Sequence, residues 1–141
     1  MHDAVRPLTD ADIAEVTALE TEARAALEHQ RGGAAHLAEE PPADWSAAIG
    51  RAWVGTLDDV VLGYLELVHE GHIARVRQVF VHPEARELGL GDALLAAALD
   101  AARVAGCTVL EGTALPGDRE TKNLYERAGI KARKIVVSVE L

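Results

Sequence analysis

The sequence is poor in aromatic residues and has almost no cysteine. Two Trp, two Tyr and one Phe make up 4% of its 141 residues, so a core must be aliphatic and alanine-rich, and a tyrosine inside a motif stands out. Cys107 has no partner within the chain, which excludes an intrachain disulfide and agrees with a reducing cytoplasm. No stretch approaches a membrane span, and the segment Met1 to Pro7 has no apolar signal core. The expectation is a cytoplasmic protein with no membrane partner. Positive charge is also scarce: 14 Lys and Arg stand against 23 Asp and Glu, giving a net charge of −9. A chain this acidic repels phosphate backbones, and its nearest basic cluster, Lys131, Arg133 and Lys134, is small. No nucleic-acid partner is expected.

What is present suits one domain spanning residues 1–141, with 49% hydrophobic residues to fill it. Ala4 to Leu8 reads as an edge strand, the only sheet position that tolerates Pro7. Thr9 caps a helix, with Asp12 as its acidic partner, and Ile13, Val16, Leu19, Ala23 and Leu27 keep helical spacing to about Gln30. Arg31 to Ala43, with Gly32-Gly33 and Pro41-Pro42, reads as a loop with a helical fragment, and Asp44 to Ile49 as a short helix. Three strands follow: Arg51 to Thr56, Val60 to Val68 and Ile73 to Val81. Gly89 to Ala105 is an amphipathic helix stopped by Gly106. Thr108 to Ala114 is a strand, Asp118 caps a helix ending at Gly129, and the β-branched run Ala132 to Val139 reads as a closing strand. This order is mixed α+β: an antiparallel meander, then one strand-helix-strand crossover.

Chemistry concentrates where the third meander strand meets the long helix. Val81 ends the strand, Pro83 breaks the ladder, and Arg86-Glu87-Leu88-Gly89-Leu90-Gly91-Asp92 leads into the helix. A helix start offers free backbone N–H groups and the positive end of a dipole, which suits a phosphate. Two glycines remove Cβ atoms where an anion must approach, and Arg86 adds a forked cation. A tight helix-sheet turn explains the glycines equally well. The pattern is neither a dinucleotide fingerprint nor a P-loop.

The segment Val79-Phe80-Val81-His82-Pro83 followed by Arg86, Gly89 and Gly91 resembles motif A of the GNAT acyltransferase superfamily. Asp118 to Ile130, with Asn123-Leu124-Tyr125 and Gly129, resembles the second motif of that family. The resemblance covers residues 60–135 well and the N-terminal half by element order alone. It implies the acyl-CoA N-acyltransferase fold: a central, mostly antiparallel sheet with helices on both faces and splayed fourth and fifth strands. It also implies acetyl-CoA as co-substrate and an amine acceptor, with direct attack in a ternary complex. Val79, Phe80 and Val81 would hold the pantetheine arm. Arg86, Glu87, Leu88, Gly89, Leu90, Gly91 and Asp92 would hold the diphosphate, and Asp118 stands where relatives commonly place a coenzyme-contacting asparagine. Tyr125 matches the family's proton donor to the departing thiolate. Glu111, then Glu66, are the candidates for general base.

Some features argue the other way. Glu87, Asp92 and Asp118 put carboxylates beside the expected diphosphate, which weakens binding if they point inward. A non-catalytic acyl-CoA-binding sensor or regulatory module is the alternative. A single closing strand leaves the family's final hairpin either abbreviated or completed by the partner subunit of a homodimer. His69 and His72 flank a turn near Glu66, but without a third ligand no metal is expected. Cys107 reads as a small buried hydrophobe.

Overall fold

The computed structural model describes residues 4–139 and 141, so Met1 to Asp3 of the N-terminal reading lie outside the described residues. Five strands form one sheet in the order β1 (Ala4–Pro7), β2 (Ala52–Leu57), β3 (Val60–Glu70), β4 (Ile73–Val81) and β5 (Val109–Gly112). The first four pair antiparallel, and β4 with β5 is parallel. The parallel step is made by the crossover through α4 (Leu90–Val104), as a parallel connection requires. The sheet is thus mixed and mostly antiparallel, as expected.

The strands alternate faces, and each face is covered. On one side α1 (Ile13–Leu27) and α3 (Trp45–Ala48) enclose a cluster with Val16, Leu19, Ala23, Trp45, Val54 and Tyr64. On the other, α4 and α5 (Arg119–Arg127) bury Leu94, Leu95, Ala98, Leu124 and Tyr125 against Leu65, Leu67, Ala74 and Val76. α2 (Gly33–Glu39) forms within the stretch expected to be mostly loop. Its C-terminal carbonyls are held by Arg24, whose guanidinium donates to Glu40 O at 2.8 Å and Leu37 O at 3.3 Å. A cation is favourable at that end of a helix.

One irregularity shapes the sheet. Glu66 pairs with Gln78, but the next pair is Leu67 with Val76, so Arg77 is an extra residue bulging from β4. Before it the even-numbered Ala74 and Val76 face α4; after it the odd-numbered Val79 and Val81 do. The bulge thus flips the alternation. Pairing with β5 covers only Ile73 to Val76, and from Arg77 onward β4 and β5 part. The splay of the fourth and fifth strands begins at this residue.

The expected closing strand, Ala132 to Val139, does not form: residues 131–139 have no strand or helix. Ile135, Val136, Val137 and Val139 are 79–87% exposed. β-branched composition suits a pleated surface but does not supply the neighbouring edge that a strand needs.

Asp12 anchors the entry to α1. Its carboxylate accepts two hydrogen bonds of 2.7 Å from the Arg6 guanidinium, and others from the Thr9 amide at 2.9 Å and hydroxyl at 3.0 Å. The Arg6 bonds outweigh burial and lower the Asp12 pKa from 3.8 to about 2. A depressed carboxylate pKa contributes stability that is fully present above the unfolded value and is lost as pH falls towards the folded one. Arg6 is 42% exposed, so solvent screens the pair and the contribution is on the order of 1 kcal/mol. Urea denaturation should show the wild type gaining this stability between about pH 2 and pH 4, and Asp12→Asn losing the pH-dependent gain.

Candidate active site

The parting of β4 from β5 opens a cleft of about 720 Å³, bordered by α1, the exposed run of β4, the turn into α4 and the start of α5. Backbone alternation fixes what the open edge presents. The His82 amide donates to Leu62 O at 2.7 Å, so Phe80 and Gln78, two and four residues back, also turn their backbone groups towards β3. Val79 and Val81 therefore turn theirs outward. Val81 O is taken by Arg86 Nε at 3.2 Å, leaving the Val79 N–H and C=O and the Val81 N–H for a ligand. Of the three residues expected to hold an extended arm, Val79 and Val81 offer backbone groups, while Phe80 packs beside Tyr64.

The turn from β4 into α4 is built for an anion. Gly89 adopts φ 84°, a left-handed conformation natural to glycine, with open space on its Cβ side. Ala93 donates the first helical hydrogen bond, to Gly89 O, so the amides of Leu90, Gly91 and Asp92 form the free first turn. Gly91 serves packing: a Cβ there would lie 3.3 Å from Leu124 Cδ1 and 3.5 Å from Val81 Cγ2. Leu90 is buried and Leu88 exposed. The Arg86 guanidinium lies 5.8 Å from the Phe80 ring centroid, at the cleft wall. Asp92 pairs with Arg127 at 3.0 Å, which offsets its charge. Glu87 is exposed at φ 72° and keeps its carboxylate beside the turn.

Tyr125 reaches the same cleft from α5. It is 7% exposed, and among the described residues its hydroxyl has no hydrogen-bond partner. No fully buried polar side-chain atom there lacks a partner, so this hydroxyl touches the cleft. Burial, and then the Asp118 carboxylate, raise its pKa well above the ordinary phenol value. Asp118 caps α5, accepting from the Thr121 amide at 3.1 Å and hydroxyl at 2.6 Å. Its oxygens are therefore turned into the helix start.

Neither base candidate lines this cleft. Glu66 is 2% exposed and borders a separate, shallower hollow. It accepts from Arg77 Nη1 at 2.8 Å, Arg51 Nη1 at 2.9 Å and Gln78 Nε2 at 3.0 Å. Burial pushes its pKa up, but these bonds outweigh that and hold it ionised, below the usual carboxylate range. Glu111 is exposed on β5 and does not border the cleft. His69 borders the same hollow as Glu66, and among the described residues no group of three or more His, Cys, Asp or Glu is placed to hold a metal ion.

Sequence reasoning missed the N-terminal wall. Glu20 on α1 is buried and accepts from Ala43 N, Trp45 Nε1 and Gln78 Nε2 at 2.9–3.0 Å. Glu20 thus stands behind the cleft wall, which Tyr64, His36 and Gln30 line directly. None of them sits in a motif; only the helical face of α1 hinted at Glu20.

A sheet that splays at its fourth strand, with a helix N-terminus and a tyrosine facing the gap, is the architecture of the acyl-CoA N-acyltransferases. The Acetyltransferase (GNAT) family matches residues 15–130, and the chain belongs to that family. Among solved structures it is similar to AAC(6')-Iy in complex with the bisubstrate analogue CoA-S-monomethyl-acetylneamine, at 16% identity and TM-score 0.74, covering 100% of this chain and 99% of that one. It is also similar to the aminoglycoside 6'-N-acetyltransferase AAC(6')-Ih from Acinetobacter baumannii, at 17% identity and TM-score 0.69, covering 99% and 98%. A transcriptional regulator from Bacillus halodurans matches at 19% identity and TM-score 0.69, covering 99% and 100%. At these identities the likeness is one of fold. No curated protein sequence matches the chain.

Gly112 tests how tightly Tyr125 is seated. A Cβ at position 112 would lie 2.1 Å from Tyr125 Oη and 2.5 Å from Cζ, so the phenol stands where only glycine leaves room. Gly112→Ala should cost about 2 kcal/mol of stability by overpacking. In a Tyr125→Ala background the same substitution should cost under about 0.5 kcal/mol, because the clash is gone. Urea denaturation of the four proteins measures both.

Proposed function

We propose that the protein is an acetyl-CoA-dependent N-acetyltransferase acting on a primary amine of a small molecule or peptide. The observation that carries this reading is that the open β4 edge, the free first turn of α4 and the Tyr125 hydroxyl border one cleft. The α4 amides and Arg86 suit a diphosphate. The outward groups of Val79 and Val81 suit the amides of a pantetheine arm, which lays the thioester between β4 and Tyr125. The AAC(6')-Iy structure with its CoA-derived ligand supports the choice of coenzyme.

In the proposed reaction the neutral amine attacks the thioester carbonyl, and a β4 backbone N–H donates to the developing oxyanion. The C–S bond breaks, and Tyr125 gives its proton to the leaving sulfur. The proton shed by the nitrogen returns through water to the phenolate, so the products are the N-acetyl amine and free thiol. A phenol with a raised pKa stays protonated across the neutral range, as a proton donor must. Glu66 sits behind the cleft wall with its oxygens taken by Arg51, Arg77 and Gln78, and Glu111 does not line the cleft, so this reaction routes no proton through either.

Calorimetric titration with acetyl-CoA, followed by thiol release with an amine panel, separates the readings. Binding with turnover supports the enzyme. Binding without turnover on any amine favours a coenzyme sensor, the reading that Glu87 beside the α4 turn keeps open. No binding at millimolar coenzyme contradicts both. Tyr125→Phe should lower kcat by about 100-fold while leaving coenzyme affinity within about threefold.

A further inference from the structure

We propose that the acceptor is a small amine carrying no second positive charge, seated against the Tyr64 hydroxyl. The inference deepens the acetyltransferase reading and rests on it.

The half of the cleft remote from the α4 turn is built by α1, α2, β3 and the first open residues of β4. The titratable groups that border it there, besides Tyr64, are Arg24, His36 and Arg77. No Asp or Glu of α1, α2 or β3 lines it. The acidic liners, Glu87, Asp92, Asp118 and Glu120, all belong to the α4 turn and the start of α5. The carboxylates just behind the remote wall are already engaged. Glu20 accepts three hydrogen bonds, from Ala43, Trp45 and Gln78. Glu66 is held by Arg51, Arg77 and Gln78, and Glu40 pairs with Arg77 at 3.2 Å. Arg51 and Arg77 thus hold Glu66 and Glu40, neutral donors hold Glu20, and Arg24 is taken up by the carbonyls of Leu37 and Glu40. A polycation placed here gives up water without gaining a free carboxylate from this wall. A monoamine brings no second charge: its one ammonium must lose a proton before attack, and the neutral form that reacts needs no counter-ion.

Tyr64 supplies the polar contact. It is 1% exposed, and its ring is fixed between Trp45, edge-on at 5.2 Å, and Phe80 at 5.9 Å. Its hydroxyl has no hydrogen-bond partner among the described residues, and no fully buried polar side-chain atom there lacks one. The hydroxyl is therefore what Tyr64 shows to the cleft. Burial, then Glu20, raise its pKa, so it stands as a neutral phenol able both to donate and to accept. Beside it Ala23, Ala26 and Leu27 give a narrow apolar wall that suits a short hydrocarbon or aromatic body.

Thiol release from acetyl-CoA, compared between 2-phenylethylamine and the polycation neamine, tests this. The expected result is a kcat/KM at least tenfold higher for 2-phenylethylamine. With Tyr64→Phe, which keeps the ring contacts, the KM for that amine should rise at least fivefold and the KM for acetyl-CoA should stay within twofold. Neamine turned over as well as or better than 2-phenylethylamine overturns the proposal and leaves the acetyltransferase reading intact. An unchanged amine KM in Tyr64→Phe likewise overturns the seat assigned to Tyr64. If acetyl-CoA binds and no amine releases thiol, the acetyltransferase reading falls and this proposal with it.

Discussion

The site depends on one buried ion pair, Glu66 with Arg77. Arg77 is the extra residue in β4, and its guanidinium is tied to Glu66 on β3, to Glu40 beyond α2 and to the carbonyl of Pro41. A bulge leaves ladder groups unpaired and bends the strand, and such a bend persists only where its neighbours hold it. Here the bend carries β4 away from β5 and flips its alternation. Val79 and Val81 thereby present backbone groups to the gap while their side chains still cover α4. Removing either partner of a buried pair leaves a bare charge, so the pair fixes geometry more than it adds stability.

Parts far apart in the chain share this gap. α4 delivers its N-terminus from one side and α5 delivers Tyr125 from the other, with Gly112 keeping space for the phenol. The loop at Leu115 to Gly117 rests on the end of α1: Gly117 lies beside the Gln30 side chain, and Leu115 and Pro116 lie beside Gly32. That contact joins the C-terminal half, which carries both motifs, to the N-terminal half, which carries none. The proposed division of labour follows: the motifs hold the coenzyme, and the N-terminal wall selects the acceptor.

Much of this was legible in the sequence because it is local. Apolar spacing marked α1 and α4, Gly89 marked the helix start, and Asp118 marked the cap of α5. The bulge was overlooked: the adjacent polar pair Arg77-Gln78 breaks the alternation and shifts the apolar phase from even to odd numbers. Yet one doubled polar position is also common at the surface of an ordinary strand. Glu66 read as a candidate base for the same reason. A strand glutamate looks alike whether it faces solvent, a substrate or three buried donors. The charge of Asp92 was read without Arg127, which lies 35 residues away in sequence. Ala132 to Val139 has strand composition, but composition is silent on whether an edge is available to pair with.

The central claim is that the open edge of β4 and the first turn of α4 together bind acetyl-CoA. Amide hydrogen exchange with and without coenzyme tests it most directly. Bound coenzyme should slow exchange at Val79 and Val81 and at Leu90 to Asp92, with little change at Phe80, whose amide already faces β3. Saturating coenzyme that leaves Val79, Val81 and the α4 turn exchanging as in the free protein would contradict it.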